Sequence, residues 1–458
     1  MFKIFIATSL SISYMFAEIV VPSGGSDLKI TIYNSNKAFV NDKRTVNIET
    51  GKQKLVYVGV PSSLITQSVV PTFEGVETTL FSQNYIYDLV SLNAMLNKSI
   101  DREVSFYTNG REPKLLKGIV MSASPQVMIK ESGSGSIYTL NAPTQVIFSS
   151  VPKNMITKPS LIWNVETKKS GKLDIDLKYL TKGISWKSDY VLNLDKKTLD
   201  LHAWITVNNN SGVSYENAQI SCVAGELNSV QEPRMEYRRM KGMAMADAAV
   251  QEESFSGYHL YKIPFRETIA NKQQKQIAFI DQKGVKYRQY GKNVNSYFEK
   301  YGEQKLSFAN VITFDNDKNN SMGLPLPSGV VRMYQKDSNG ETHYIGEDRV
   351  KNIPENERVT LKIGQLFDAV GEKKISKYVA RSGYRNVETT YSVRNQGKEP
   401  LSLKIEERIP VYGDKITQKN SCKGICSVEK KNAFVREFTI RLKAKEAYQF
   451  TSEFEAIF

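Results

Sequence analysis

The stretch KPSLIWNVETKKSGKLDIDLKYLTKGISWKSDYVLNLDKKTLDLHAWITVNNNSGVSYENAQISCVAGELN, residues 158–228, decides the fold class. It contains at least five strand-length runs in which apolar and polar residues alternate with a period of two, the signature of half-buried β-strands. All three tryptophans of the chain, Trp163, Trp186 and Trp204, fall within it. Core anchors between two sheets account for them. A sugar-stacking platform is the functional alternative.

The same pattern extends outward. Downstream, YHLYKIPFRETIA and KQIAFIDQKGVKYRQY read as strands, and Asn339-Gly340 marks a hairpin between VVRMYQ and THYIGE. In residues 375–458, YRNVETTYSVRNQ, PLSLKIEERIP, AFVREFTIRLKA and AYQFTSEFEAIF alternate again, as in an immunoglobulin-like sandwich. Upstream, residues 28–60 alternate around turns at Asn34-Ser35-Asn36 and Gly51. Between these, QNYIYDLVSLNAMLNKS (residues 83–99) places Ile86, Leu89, Val90, Leu96 and Ile100 at helical spacing, with Ser82 or Asn84 as cap. Residues 102–150 hold five short strands separated by Gly-Ser turns, which suggests a small barrel of the SH3-like or OB-like kind.

The expected fold is therefore mostly β, with several antiparallel β domains of sandwich type, a small SH3/OB-like barrel and one amphipathic helix. The expected divisions are a β domain over 18–81, the helix and barrel module over 82–150, a central β domain over 151–374 and a sandwich unit over 375–458. Within the central domain, residues 229–256 lose the alternation and gather Met, Glu and Arg, so a mobile loop is expected there. The 24 Tyr and 20 Phe of the 458 residues agree with a strand-rich chain.

Residues 1–17, MFKIFIATSLSISYMFA, have a basic start, an apolar run and a small residue before Glu18, the pattern of a Sec-type signal peptide. Export to the periplasm or the outer surface follows, and with it an oxidising environment. Cys422 and Cys426, in SCKGIC, are then expected to form a local disulfide, and Cys222 reads as a buried strand thiol. A net charge of +14 favours anionic partners. Outside the cytoplasm these are acidic envelope polymers and anionic lipid surfaces, the latter touched peripherally; nucleic acid is excluded by compartment.

Motifs that carry chemistry are scarce. His202, His259 and His343 share no motif, and there is no zincin, nucleophile-elbow or phosphate-loop pattern. Phe314-Asp315-Asn316-Asp317-Lys318-Asn319 has a calcium-loop core without the required Gly and Glu, so no metal or cofactor is expected. Asp174 and Asp176 share one strand face and are the best carboxylate pair for glycoside hydrolysis, although a polar sheet face gives the same pattern. Glu406-Glu407-Arg408 reads as a solvated strand end. Tyr287 and Tyr290, interleaved with Lys286, Arg288 and Lys292, join Trp163, Trp186 and Trp204 as candidate ligand-platform residues. The same segment continues to Tyr297 and Tyr301.

ITIYNSNKAFV (30–40) and LVYVGVP (55–61) resemble the N-terminal domain of the mucoidy-inhibitor family. Residues 160–228 and 256–458 resemble its C-terminal domain of unknown function, through GISWKSDYVLNL, ITVNNNSGVSYENAQISCVAGELN, LPSGVVRMYQKDSNGETHYIGEDRV and LKIGQLFDAV. Longer members carry a coiled coil in the middle, where this chain has one helix and a β module. The resemblance implies an exported β-rich bacterial envelope protein and supplies no catalytic residues. The expectation is a non-catalytic binding or scaffold protein for an envelope polymer or envelope protein. A glycan-acting hydrolase and a strand-edge assembly factor are the alternatives.

Overall fold

The computed structural model describes residues 17–109, 111–152, 155–225, 251–255, 258–296, 302–409 and 415–457. Residues 1–16 of the expected leader lie outside them, as do residues 229–250 and 256 of the expected mobile loop and residues 297–301 with their two tyrosines. Gln251–Phe255, at the end of that loop segment, is a strand paired antiparallel with Tyr258–Lys262. Strands account for 68% of the residues and helix for 3%, so the protein is mostly β. No helix among the described residues is long and apolar enough to cross a membrane.

The chain parts into two compact units. One takes the described residues through Ser185 with Val207–Cys222 and Phe265–Gln274; the other takes Trp186–Thr206, the described part of Val223–Pro264 and the chain from Lys275 onward. The divisions fall inside long strands, among them Ile184–Leu194, Thr198–Asn209 and Gln273–Lys286. A strand of 11 to 14 residues gives its two ends to different units, so no loop or composition shift marks the change.

In the first unit, Lys37–Ile48 pairs antiparallel with Asp27–Tyr33 on one side and Gly171–Lys182 on the other. The hairpin between the first two turns through Asn34-Ser35-Asn36, with Asn36 in the left-handed region (φ 57°) that asparagine tolerates. A four-stranded sheet runs in the order Ala17–Val21, Gly51–Val58, Ser160–Thr167, Thr78–Ile86. Trp163 anchors its inner face: it is fully buried against the rings of Tyr57 (5.3 Å) and Phe73 (5.8 Å), and its indole N–H donates to Gln83 Oε1 at 2.8 Å. The buried Arg44 stacks on Tyr57, with its guanidinium 3.8 Å from the ring centroid, and pairs with Asp42 at 2.6 Å. Further donations to Pro22 O and Val58 O satisfy the charge, as a buried cation requires.

The helix is shorter and later than the periodicity suggests. Residues 78–86 are a strand paired with Ser160–Thr167, and the helix is Leu92–Lys98, capped by Ser91 Oγ accepting from Ala94 N at 3.2 Å. The aromatic and β-branched run Tyr85-Ile86-Tyr87 favours the extended chain, and that preference wins until a serine offers a cap. Residues 103–147 form a five-stranded antiparallel sheet in the order Ile137–Leu140, Val127–Glu131, Leu115–Ser122, Glu103–Tyr107, Val146–Ile147. Its inner face closes on Leu96 of the helix with Val104, Phe106, Val120 and Ile129.

The second unit holds three sheets. One runs Gln273–Lys286, Thr198–Asn209, Ile184–Leu194, Gly329–Lys336, Thr342–Val350, and its Ile184–Leu194/Gly329–Lys336 pair is parallel. The hairpin at Asn339-Gly340 is present, with Gly340 at φ 86° inside a longer loop closed by Asp337 N donating to Glu341 O. The other two sheets form a sandwich. A six-stranded sheet (Arg358–Gln365, Ala309–Asp315, Arg288–Ser296, Leu401–Arg408, Val435–Leu442, Cys426–Lys430) faces a five-stranded one (Glu303–Leu306, Ala369–Arg381, Tyr384–Asn395, Ala447–Ile457, Lys415–Asn420). The sandwich therefore recruits residues from 288 onward, and the expected boundary at 374/375 falls inside the strand Ala369–Arg381.

Three buried asparagines lock strand exits. The Asn209 amide donates to Val213 O, Ile269 O and Ala270 O while its carbonyl accepts from Ser211. Asn316 holds Leu324 O and Pro354 O and accepts from Gly323 N. Asn395 holds Glu399 O and Lys443 O and accepts from Gly397 N. Backbone groups at these corners have no strand partner, and the side-chain amide supplies one.

Candidate functional site

A hollow lies on the outer face of the four-stranded sheet in the first unit. It is open, with a volume of about 750 Å³, and is lined by Lys54, Asn84, Tyr85, Ile86, Tyr87, Asp88, Leu89, Ile162 and Asn164. Strand alternation places its floor. Lys54, Ile162, Asn164, Asn84 and Ile86 point outward from three neighbouring strands in register, Ile162 opposite both Val56 and Asn84. The chain after Ile86 leaves the sheet and raises Tyr87, Asp88 and Leu89 as a wall.

Each group in the hollow has a defined chemical state. Tyr85 is fixed, its hydroxyl donating to Pro61 O at 3.1 Å and Ser62 O at 3.2 Å, and burial raises its pKa. Tyr87 stacks on it (5.4 Å between centroids, 28° between planes) and is 67% exposed. Asn164 donates to Ser82 Oγ at 2.7 Å. Lys54 is paired with Glu18 at 2.7 Å, and Asp88 is paired with Lys98. The hollow thus offers an exposed ring, two amides and two isoleucines, with its charges already neutralised. That set suits a neutral, hydroxyl-rich ligand with an apolar face, such as a saccharide.

The residues singled out in the sequence are not brought together. Trp163 is the core anchor described above. Trp186 is buried, with its N–H on Val223 O at 3.0 Å and its ring against Tyr261. Trp204 is on the outer side of its sheet and 37% exposed, next to Thr206, which donates to Asp189 at 2.8 Å. Tyr287 is tied to Asp195 O at 2.7 Å. Tyr290 lies on the outer face of the six-stranded sheet, with Lys404 Nζ 4.8 Å from its ring. Around it runs a charge lattice in which Glu406 meets Lys292 (2.8 Å) and Arg408 (2.7 Å), and Glu437 meets Lys404 (2.6 Å). No common platform forms from these five.

The carboxylate pair is charge-compensated. Asp174 accepts from Thr45 Oγ1 at 2.5 Å and faces Lys172; Asp176 lies between Lys43 (3.7 Å) and Lys178 (3.4 Å). They line a smaller open hollow of about 300 Å³ with Glu74 and Ser26. Asp315 of the calcium-like loop is held by Arg288 and Arg358, and Asp317 caps the turn at Asn320. Asp337, Glu341 and His343 form the one group among the described residues whose ligand atoms lie within 4.8 Å of one another. All three are exposed, and Asp337 already accepts from His343 and from two backbone N–H groups. Cys422 and Cys426 are bonded (S–S 2.08 Å, Cα–Cα 5.2 Å). Cys222 is fully buried, and burial pushes its thiol pKa up, away from the reactive thiolate.

Residues 175–457 match the family described as a domain of unknown function, DUF4139. The chain belongs to the DUF4139 family. No curated protein matches it. The DUF4139 match covers the second unit and part of the first, and the groove at Tyr87 lies before its start. Within the DUF4139 domain, Glu407 overturns the sequence reading as a solvated strand end. It is 1% exposed inside the sandwich and accepts from Tyr391 OH and from Ser452 Oγ at 3.0 Å. Burial raises its pKa to about 7, against the opposing pull of these hydroxyls and of Lys373 and Arg436. The signal was present: Leu403, Ile405 and Ile409 alternate inward, and Glu407 shares their parity.

Proposed function

We propose that the protein is an exported cell-envelope protein that binds an envelope polymer, without cleaving it, through the groove at Tyr87. The observation that carries this reading is the groove's chemistry. An anchored tyrosine supports an exposed one beside two outward amides, and both ionised groups are neutralised in place. A stacking ring and amide donors hold sugar rings and hydroxyls. A hydrolase needs a carboxylic acid and a carboxylate poised across a bond, and the groove offers a single carboxylate that is already paired. The leader-like residues 1–17 and the likeness of residues 30–61 to the mucoidy-inhibitor family support placement in the periplasm or at the outer surface. Further support comes from the net charge of +14, which draws the protein to the acidic envelope, where the groove takes neutral, hydroxyl-rich stretches of polymer.

The test is co-sedimentation of the purified protein with wall sacculi, lipopolysaccharide and an acidic polysaccharide at low and high salt. Retention on one polymer at high salt, lost in Tyr87→Ala and Asn164→Ala, is expected. Binding to every polymer that disappears with salt, with both variants behaving as wild type, refutes the groove. Release of soluble fragments from the bound polymer refutes the non-catalytic reading.

A further inference from the structure

The five-stranded sheet of residues 103–147 buries one face on the helix and leaves the other to solvent. That outer face mixes exposed apolar side chains with charged ones. Alternation turns Val104, Phe106, Val120, Val127 and Ile129 inward and Tyr107, Leu115, Ile119, Met128, Ile137 and Ile147 outward. On the paired strands the outward apolar residues alternate with charged ones. Ile119 lies opposite Glu103 and Lys130, and Lys130 lies opposite Ile137. Tyr107 lies opposite Leu115. Ile137 and Leu115 are 59% and 55% exposed. A soluble sheet with one face on its core presents a mostly polar second face; here exposed apolar side chains share it with two lysines, a combination that suits an amphipathic partner.

The charges among these residues indicate which partner. Lys117 and Lys130 rise from the centre of the face, and neither makes an ion pair among the described residues. Glu103, the acid on the same face, is engaged by Ser132 Oγ at 2.9 Å. We infer that this face docks on an anionic lipid surface, its aliphatic and tyrosine side chains entering the headgroup boundary and its two lysines meeting lipid phosphates. Lysine suits this role because its stem lies along apolar surface while its ammonium reaches the headgroups. Packing two copies of the face together would instead enclose four ammonium groups against only two Glu103 carboxylates, leaving buried charge unpaired, a costly burial. Attraction of the whole chain, at +14, acts in the same direction. The face is separate in residues from the groove at Tyr87, so a single molecule can hold a membrane and a polymer at once.

The experiment is flotation of the exported form, from Glu18 on, with vesicles of phosphatidylcholine alone or with a third phosphatidylglycerol. Binding to the anionic vesicles only is expected. Lys117→Ala with Lys130→Ala is expected to weaken it by about thirtyfold, and Ile119→Ser with Ile137→Ser to abolish it. All four side chains are on the surface, and an unchanged thermal midpoint confirms that the variants fold. Tyr87→Ala is expected to float as wild type, so loss of polymer binding and loss of vesicle binding are read separately. Equal flotation of wild type and both double variants overturns the inference. So does failure to float with anionic vesicles, or a wild-type dimer that Ile119→Ser with Ile137→Ser converts to monomer.

Discussion

Removing the buried charge at Glu407 is expected to stabilise the sandwich at alkaline pH. Glu407 is fully enclosed between two hydrophobic clusters, one around Phe438 and Phe450, the other around Phe454 and Val387. Its carboxyl accepts from Tyr391 and Ser452, with Gln418 Nε2 at 3.5 Å. Burial raises the pKa from 4.5 to about 7, so in the folded protein the proton is held more tightly than in the unfolded chain. The sign follows from linkage: this group contributes stability that is full below pH 4.5 and is lost as pH rises through about 7. At about 1.4 kcal/mol per pH unit, the difference amounts to about 3 kcal/mol between acid and alkaline conditions. Glutamine mimics the protonated acid, accepting from Tyr391 and donating to Ser452. Glu407→Gln is therefore expected to flatten the profile between pH 5 and 8 and to exceed wild type by about 3 kcal/mol at pH 8. Hydrogen exchange in urea, read on the amides of Tyr384–Asn395 and Ala447–Ile457, measures the stability of this sandwich directly. Parallel profiles for wild type and variant, or a variant less stable at pH 8, would refute the reasoning.

Trp163→Ala is expected to cost about 3–5 kcal/mol in the first unit, because it empties the volume between Tyr57 and Phe73 and strands Gln83; urea unfolding followed by circular dichroism measures it. Asn316→Ala leaves two buried carbonyls and a backbone N–H without partners and is expected to cost about 2–3 kcal/mol, whereas Asn319→Ala, on the same loop, is expected to cost less than about 0.5 kcal/mol. Reducing Cys422–Cys426, which closes a loop of sequence separation 4, is expected to cost about 2 kcal/mol or less. Cys222 is expected to resist alkylation in the native protein and to react on unfolding, and fast native labelling would contradict its burial.

The strand content was largely legible because alternation is a local signal wherever one face of a sheet meets a core. Trp163 and Trp186 fell into the same pattern as anchors. The charged triplet Glu406-Glu407-Arg408 masks the parity of Glu407 with the inward Ile405 and Ile409. The helix was placed too early because Ile86, Leu89 and Val90 fit a helical stripe, while the pairing of Thr78–Ile86 with Ser160–Thr167 is a tertiary fact. The groove was illegible for the same reason. Lys54, Asn84 and Asn164 are outward residues on strands that meet only after folding, and none belongs to a motif. The unit divisions were hidden because they fall within strands.

The most direct test of the account is hydrogen exchange of the protein with and without oligosaccharides from the polymer that it retains at high salt. Protection confined to Gly51–Val58, Thr78–Ile86 and the Tyr87–Leu89 wall, and absent in Tyr87→Ala, is the predicted result. Protection on the sheets of the second unit instead, or identical protection in Tyr87→Ala, would contradict the groove as the binding site.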